Sequence, residues 1–419
     1  MKTFEKVIGY DDIKEELLKV ADMFLNLEEY NAIGAYIPKG ILIYGRPGMG
    51  KTLLANELAE ICGCFTTVIR KNRNQSDFIQ ELRNGFTEAK ENAPSIIILD
   101  DLDKYVPDEE SKEEFYVVQA CIDDIGNEDI LVVATANNIS GMPDSLLRKG
   151  RFDKQFELEV LPKGVSDQII EKYTDNYGIF ASNVNTIDVK KLFSSLPPSS
   201  IISVLNNCRI SMKYYKTDKI TRNILIQEYL KKDGFYYDLS EKESLMENVA
   251  YHEAGHVVIR ELIEADTVCF ASVMTTDAGI RGIVCGTPKY DKYLGSRKIT
   301  CESLAGRACE EQKFGYCTDG AADDIIDANV HLETEVRVGK YGLDLAMAGI
   351  GRDFIELSSR TQNQIEAERK RLYSMTKKAL VDNWGFVEDV ARKLLECDAL
   401  LYSDIQGIRK KYSLRDFAV

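Results

Sequence analysis

The sequence predicts two unlike halves: an α/β module with a parallel sheet and a small α-helical lid, then a mainly α-helical domain. Three observations predict this. Over the first 160 residues, apolar runs ending in turn residues alternate with helical stretches. From Asp167 to about Lys232 the pattern is helical throughout, broken at Leu196-Pro197-Pro198. From Ser240 onward helical periodicity dominates, interrupted by a strand-rich patch at Thr267–Thr276 and Gly282–Gly286. A chain of 419 residues has room for two to three domains. The expected divisions are 1–160, 161–235 and 236–419.

Gly40 to Tyr44 is an apolar run closed by a Gly/Pro turn, and Lys51–Ile61 follows as a helix. Asp77–Asn92 is helical up to Pro94, and Ile96–Leu99 is apolar without alternation. Glu113–Ile125 reads as helix and Ile130–Ala134 as strand. Strands lacking apolar/polar alternation are buried on both faces, which argues for a parallel sheet covered by helices. Leu161-Pro162-Lys163-Gly164 ends that unit. Ser240 and Glu243 have capping-box spacing at the start of a long helix. From Thr300 the chain reads as helical to its end, looser around Ala348–Asp353.

Lysine and arginine number 53 and aspartate and glutamate 68, a net charge of −15. That balance argues against a dedicated nucleic-acid binder, which needs a basic footprint. No apolar stretch approaches the ~18–20 residues that cross a bilayer. The start, Met1-Lys2-Thr3-Phe4-Glu5-Lys6, has no signal-peptide core. The ten cysteines form no paired framework, which fits reduced thiols in a cytoplasm-like compartment.

Gly45-Arg46-Pro47-Gly48-Met49-Gly50-Lys51-Thr52 fits G-x-x-x-x-G-K-[ST] between a strand and a helix. Glycines let backbone N–H groups curl around phosphate oxygens, and the helix adds its positive N-terminus. The predicted phosphate-binding run is Pro47, Gly48, Met49, Gly50, Lys51, Thr52 and Leu53, with Lys51 on the β- and γ-phosphates and Thr52 on Mg²⁺. Ile96–Leu99 runs into Asp100 and Asp101. Asp100 is placed to hold the Mg²⁺ shell and Asp101 to orient the attacking water. Asn137 follows the strand Ile130–Ala134, where an amide would hold that water. Arg148 and Arg151 flank a turn, where arginines are ordinarily solvated. They gain a role if a neighbouring subunit's γ-phosphate needs an arginine finger.

His252-Glu253-Ala254-Gly255-His256 is H-E-x-x-H inside a helical stretch. At i and i+4 both imidazoles leave one face and share one Zn²⁺, and Glu253 takes a proton from water on that ion. Only three histidines exist, so chance rarely gives this spacing. Gly255 costs helix propensity, about 1 kcal/mol relative to Ala, which a close approach by another backbone or a ligand would explain. A third ligand is required. Glu310, Glu311, Asp319, Asp323, Asp324 and His331 are all candidates by type, and spacing does not choose among them.

Taken together these residues resemble the FtsH family of AAA+ zinc proteases, collinearly over nearly the whole chain. Ile8-Gly9-Tyr10-Asp11 resembles the start of that family's ATPase module, and Ile37-Pro38-Lys39-Gly40 leads into the P-loop as the family does. Asp100 and Asp101 fall on the Walker B pair, Asn137 on sensor 1, and Arg148 and Arg151 on the paired arginines of the second region of homology. Ala250–His256, Leu304–Glu311 and Gly320–Ile325 resemble the protease motifs, and the last places the third zinc ligand on Asp324. The resemblance implies a hexameric ring that feeds unfolded polypeptide to a zinc-protease chamber, with arginine fingers across interfaces and ATP, Mg²⁺ and Zn²⁺ as cofactors. It also implies that Ile8, Gly9 and Tyr173 border the adenine.

Three departures stand out. The family's N-terminal transmembrane segments are absent from this sequence, so a cytoplasmic location is expected unless an anchor precedes it. Asp101 stands where the family has Glu, retracting the carboxylate by roughly 1.5 Å, one C–C bond. A misplacement of ~1 Å costs up to ~100-fold in rate, so ATP turnover is expected to be slow. The stretch around Lys71-Asn72-Arg73-Asn74-Gln75 is polar where the family's translocating loop carries an aromatic. The leading expectation is an ATP-dependent zinc endopeptidase of protein quality control. The alternatives are a remodelling ATPase with a structural protease half and a peptidase that works without ATP.

Overall fold

The computed structural model describes residues 3–71, 75–105, 113–126, 128–158, 160–236, 243–276, 281–286, 295–337, 359–415 and 417. The chain forms two compact units, Met1–Asn176 with Leu196–Ser203, and Tyr177–Ser195 with Val204–Val419.

The first unit holds α1 (Asp11–Leu25), α2 (Leu27–Ala32), β1 (Gly40–Tyr44), α3 (Lys51–Cys62), β2 (Phe65–Arg70), α4 (Gln75–Glu91), β3 (Ser95–Asp100), α5 (Glu113–Asp124), β4 (Ile130–Ala136), β5 (Phe152–Glu157) and α6 (Val165–Thr174). Its five strands are all parallel in the order β2-β3-β4-β1-β5. The apolar runs read as central strands are β1, β3 and β4, whose residues alternate between two cores. Leu42, Ile97, Leu99 and Val132 pack with Phe78, Leu82 and Phe86 of α4. Ile41, Ile43, Ile98 and Val133 pack with Leu17 of α1 and Leu54 and Leu58 of α3. Burial on both faces is why these strands lack alternation. A parallel sheet of this order brings the C-terminal ends of β1, β3 and β4 side by side, and the phosphate-site residues lie there.

The second unit holds α7 (Thr186–Phe193), most of α8 (Pro198–Tyr214), α9 (Arg222–Lys231), β6 (Phe235–Tyr236), α10 (Glu243–Ile263), β7 (Val268–Thr276), β8 (Arg281–Gly286), α11 (Ser296–Ser303), α12 (Ala305–Phe314), α13 (Ala322–Arg337), α14 (Ser359–Asp382), α15 (Trp384–Cys397), β9 (Ala399–Leu401) and α16 (Tyr402–Arg409). β7 pairs antiparallel with β6, β8 and β9. The core gathers Ala254, Val257 and Val258 of α10 with Ala308 of α12 and Val387 and Leu394 of α15. Hydrogen bonds from the C-terminal segment close the unit: Asp188 on α7 accepts from Ser403 N and Oγ, each at 2.7 Å. Tyr229 on α9 meets Phe270 on β7 edge-on. Glu261, buried at the end of α10, accepts from the backbone N–H of Asp266, Thr267 and Val268 and from Gln406 Nε2. That carboxylate fastens the turn from α10 into β7 and ties it to α16. Among the described residues no helix is long and apolar enough to cross a membrane.

The start of α10 at Glu243 agrees with the expected long helix, while Ser240, its proposed cap, lies outside the described residues. So do Asn72, Arg73 and Asn74 of the polar loop and the stretch Ala348–Asp353.

Candidate functional site

The predicted phosphate loop spans the turn from β1 into α3. Gly48 and Gly50 have φ of 79° and 98°, left-handed values that favour glycine and let the loop curl. Lys51 opens α3 and is buried. Its Nζ donates to Gly45 O and Arg46 O at 2.8 Å each and to Asn137 Oδ1 at 2.9 Å. Burial lowers its pKa. Thr52 Oγ1 donates to Asp100 Oδ1 at 2.8 Å. The structure therefore brings Lys51, Thr52, Asp100 and Asn137 to one place from three strand ends. Met49 turns its side chain into the core beside Ile43 and Leu54, which explains a large residue in this loop. Pro47 stays with the loop backbone, and Leu53 is exposed on α3.

Thr135 on β4 carried no sequence signal. Its hydroxyl donates to Asp100 Oδ1 at 2.7 Å and accepts from Asp101 N at 2.9 Å, fixing the end of β3. Asp101 follows in the left-handed region, φ 55°, with Oδ2 paired to Lys104 Nζ at 2.7 Å. Arg70, at the end of β2, pairs through Nε with Asp100 Oδ2 at 2.8 Å. The two predicted arginines differ. Arg148 is exposed, whereas Arg151 is buried in a two-pronged pair with Asp123, Nε–Oδ1 2.9 Å and Nη2–Oδ2 2.7 Å, and also donates to Ser145 O. Gly9 lies against Val165 at the start of α6, a contact that leaves no room for a Cβ, and Tyr173 sits half-buried on the same helix. Ile8 is half-buried beside Gly9.

In the second unit α10 presents His252 and His256 on one face, as i,i+4 spacing requires. The third partner is Asp324, at the start of α13. His252 Nε2 is 3.0 Å from Asp324 Oδ2, His256 Nε2 is 3.2 Å from it, and the two Nε2 atoms are 3.0 Å apart. Bonds of ~2.05 Å at tetrahedral angles put ligand atoms about 3.3 Å apart, so these donors fit one zinc ion with a slight opening of the triangle. Among the described residues this is the group of His, Cys, Asp and Glu side chains disposed to hold a metal. His256 Nδ1 bonds to Glu302 O at 2.8 Å and His252 Nδ1 to Glu310 Oε1 at 2.6 Å. Each ring thus aims Nε2 at the common point, the usual outer-shell arrangement around zinc. Glu310, a candidate ligand by sequence, is instead the group that orients His252, and Thr318 N in turn donates to it at 2.5 Å.

Charge fits the same picture. Burial opposes charge on His252, but hydrogen bonds to Asp324 and Glu310 outweigh it and raise the pKa to about 10. Burial also opposes the Asp324 carboxylate, yet bonds from His252 and His256 hold its pKa well below the usual range. A metal entering here displaces protons from the imidazoles, so loading is expected to release acid. Glu253 is buried next to the triangle, and burial raises its pKa to about 7, near the value that suits a general base at neutral pH.

Two glycines make room for these groups. A Cβ on Gly306 of α12 would stand 2.6 Å from His252 Cδ2 and nearer still to Nε2. A Cβ on Gly282 of β8 would stand 2.6 Å from Glu253 Cδ. The close approach expected at Gly255 is that of α12, where Ala305 O lies 2.6 Å from the position of a Cβ.

Comparison with known proteins agrees in both halves. Residues 41–160 match the model of the ATPase family associated with various cellular activities (AAA), and residues 239–408 match that of peptidase family M41. The "ATP-dependent zinc metalloprotease FtsH 2" of Thermoanaerobacter sp. (strain X514) is 29% identical over 97% of this chain and 82% of its own length. The "ATP-dependent zinc metalloprotease FtsH" of Lachnoclostridium phytofermentans is 27% identical over 96% of this chain and 74% of its own length. The "ATP-dependent zinc metalloprotease FtsH 1" of Methylacidiphilum infernorum is 30% identical over 77% of this chain and 54% of its own length.

Proposed function

This chain belongs to the FtsH family of AAA+ zinc metalloproteases, and from that premise we propose that it is an ATP-dependent zinc endopeptidase degrading unfolded or damaged proteins. The observation that carries the reading is the triangle of His252, His256 and Asp324 donors with buried Glu253 beside it.

His252, His256 and Asp324 would hold Zn²⁺, and Glu253 would be the general base. When bound, the zinc ion supplies a Lewis acid that polarises the scissile carbonyl and acidifies a water molecule. Glu253 would accept a proton from the attacking water and hand it to the departing amine, a shuttle its raised pKa suits. Glu310 and the Glu302 carbonyl keep both imidazoles in the tautomer that faces the ion.

At the other site Lys51 and the loop 45–50 receive the phosphates of ATP. Thr52 and Asp100 hold Mg²⁺, Asp101 and Asn137 place water, and Ile8, Gly9 and Tyr173 flank the base. For Lys51 Nζ to reach a phosphate it exchanges Gly45 O and Arg46 O for phosphate oxygens. Asp101 must likewise share its carboxylate with Lys104. We assign 1–160 to the large nucleotide-binding subdomain, 161–235 to the helical lid and 236–419 to the peptidase.

The AAA+ protease family is generally oligomeric and acts on protein substrates; for this chain we propose a hexamer in the cytoplasm. Across its interfaces Arg148 is the available finger, because Arg151 is held by Asp123. Arg148→Ala is expected to lower ATPase activity at least tenfold with an unchanged melting temperature. Arg151→Ala should lower stability by about 1–2 kcal/mol, after allowing for the half-exposed Asp123. Equal melting temperatures for the two variants would contradict this division.

The function is tested by degradation of casein and of a short peptide with zinc, with and without ATP and a zinc chelator. Chelation is expected to stop both cleavages and leave nucleotide binding intact. ATP should accelerate casein but not peptide cleavage. Proteolysis that survives chelation would overturn the zinc reading, and casein cleavage indifferent to ATP would overturn the ATP-driven one.

A further inference from the structure

We propose that Arg70 is a resident cation on the Mg²⁺-binding carboxylate of the nucleotide site, and that it sets the Mg²⁺ concentration at which the site loads. The inference rests on the reading of Asp100 as the Mg²⁺ carboxylate.

Arg70 is the last residue of β2, and the parallel ladder sets it in register with Asp100, the last residue of β3. Side chains in register on neighbouring strands leave the sheet on the same face. The pairing is therefore fixed by the sheet. Arg70 Nε lies 2.8 Å from Asp100 Oδ2, while Oδ1 accepts from Thr52 Oγ1 and Thr135 Oγ1. Both carboxylate oxygens are engaged. Three donors converge on Asp100, and one of them carries a full charge.

The donor set still fits a magnesium ion. A carboxylate and a hydroxyl in contact, beside a phosphate loop, are the protein's usual share of an octahedral Mg²⁺ shell that water and phosphate complete. The ion needs the negative charge of Asp100, and the Arg70 guanidinium already neutralises part of it. The second carboxylate of the pair, Asp101, is matched in the same way by Lys104, so both acidic groups at the end of β3 carry a basic partner from their own chain. Lys71, the next residue, donates to Tyr105 O instead, and Lys51 Nζ is engaged by Gly45 O, Arg46 O and Asn137 Oδ1. Arg70 is half-exposed while Asp100 is buried, so solvent screens the pair and its effect is moderate.

The test is binding of a fluorescent ADP analogue to the full chain, titrated against free Mg²⁺, for the wild type, Arg70→Met, Arg70→Lys, Arg70→Gln and Asp100→Asn. Arg70→Met keeps the aliphatic stem and removes the charge. It is expected to lower the Mg²⁺ midpoint about fivefold, equivalent to about 1 kcal/mol, with Mg²⁺-free nucleotide affinity unchanged within twofold. Arg70→Gln should behave as Met, and Arg70→Lys should stay near wild type. The shift should shrink as salt rises. Asp100→Asn should abolish the Mg²⁺ dependence. If it does while Arg70→Met and Arg70→Gln keep the wild-type midpoint or raise it, the role of Arg70 is overturned and the reading of Asp100 stands. If Asp100→Asn keeps the wild-type Mg²⁺ dependence, the reading of Asp100 falls, and the role of Arg70 falls with it.

Discussion

Glu253→Gln is expected to lower proteolysis by about 10²–10⁴-fold, the usual contribution of a positioned general base, while zinc content and ATPase activity remain at wild-type levels. The separation follows from geometry. The donors converging on the metal point are His252 Nε2, His256 Nε2 and Asp324 Oδ2, none of which belongs to Glu253. Stability should not suffer either. Burial lifts the Glu253 pKa to about 7, so the site already accepts an uncharged group at this position with little penalty. An amide of the same shape removes only the proton-accepting function. Casein cleavage, metal analysis and ATP hydrolysis on one preparation check the three parts together. Wild-type proteolysis by the glutamine variant would remove Glu253 from the mechanism, and lost zinc would make it a ligand.

Gly306→Ala should weaken zinc binding about 10–100-fold, as loss of outer-shell orientation does. A methyl group there would enter the space of the His252 ring on the side of Nε2. Relief requires either rotation of the imidazole, which breaks the 2.6 Å bond from Nδ1 to Glu310, or retreat of α12 from α10. Retreat would open the close packing of the two helices at Gly255, where α12 approaches through Ala305 O. Overpacking of this kind costs about 1–3 kcal/mol besides its effect on the metal. Gly407→Ala is the control. A Cβ there meets nothing within 4 Å on α16, so the substitution should stabilise by a few tenths to 1 kcal/mol. Competition with a zinc-responsive dye reads the affinity, and a melting curve reads the packing. Zinc binding unchanged in Gly306→Ala would show that the ring has freedom that the packing denies it.

Both centres were legible where their residues are contiguous. The phosphate loop and the H-E-x-x-H helix each fall within eight residues, so local periodicity alone places the side chains. Asp324 was not separable by spacing from five other candidates, because it stands 72 residues after His252 and only the packing of α13 brings them together. The resemblance alone pointed to it. Glu310 was visible as an acid near the site, but its task depends on which imidazole nitrogen it meets. Thr135 and Arg70 belong to no motif; sheet register puts them on Asp100. The unread strands β2 and β5 have the same cause. Both are edges of the parallel sheet, part-exposed along most of their length, so neither shows the continuous apolar run of β1, β3 and β4.

The bonds that close the peptidase unit arrive late in the order of synthesis. β9, at residues 399–401, covers β7 from Phe270 to Ser272, and Gln406 reaches back to Glu261 at the end of the helix that bears both histidines. A ribosome that has made the metal-binding helix has yet to make the strand and helix that anchor it. The nucleotide-binding sheet, complete by Glu157, has all its strands long before that. A nascent chain thus carries a finished sheet in one half and an open edge in the other. A chain cut short before residue 399 lacks both the strand that covers β7 from Phe270 to Ser272 and the glutamine that ties the histidine-bearing helix at Glu261.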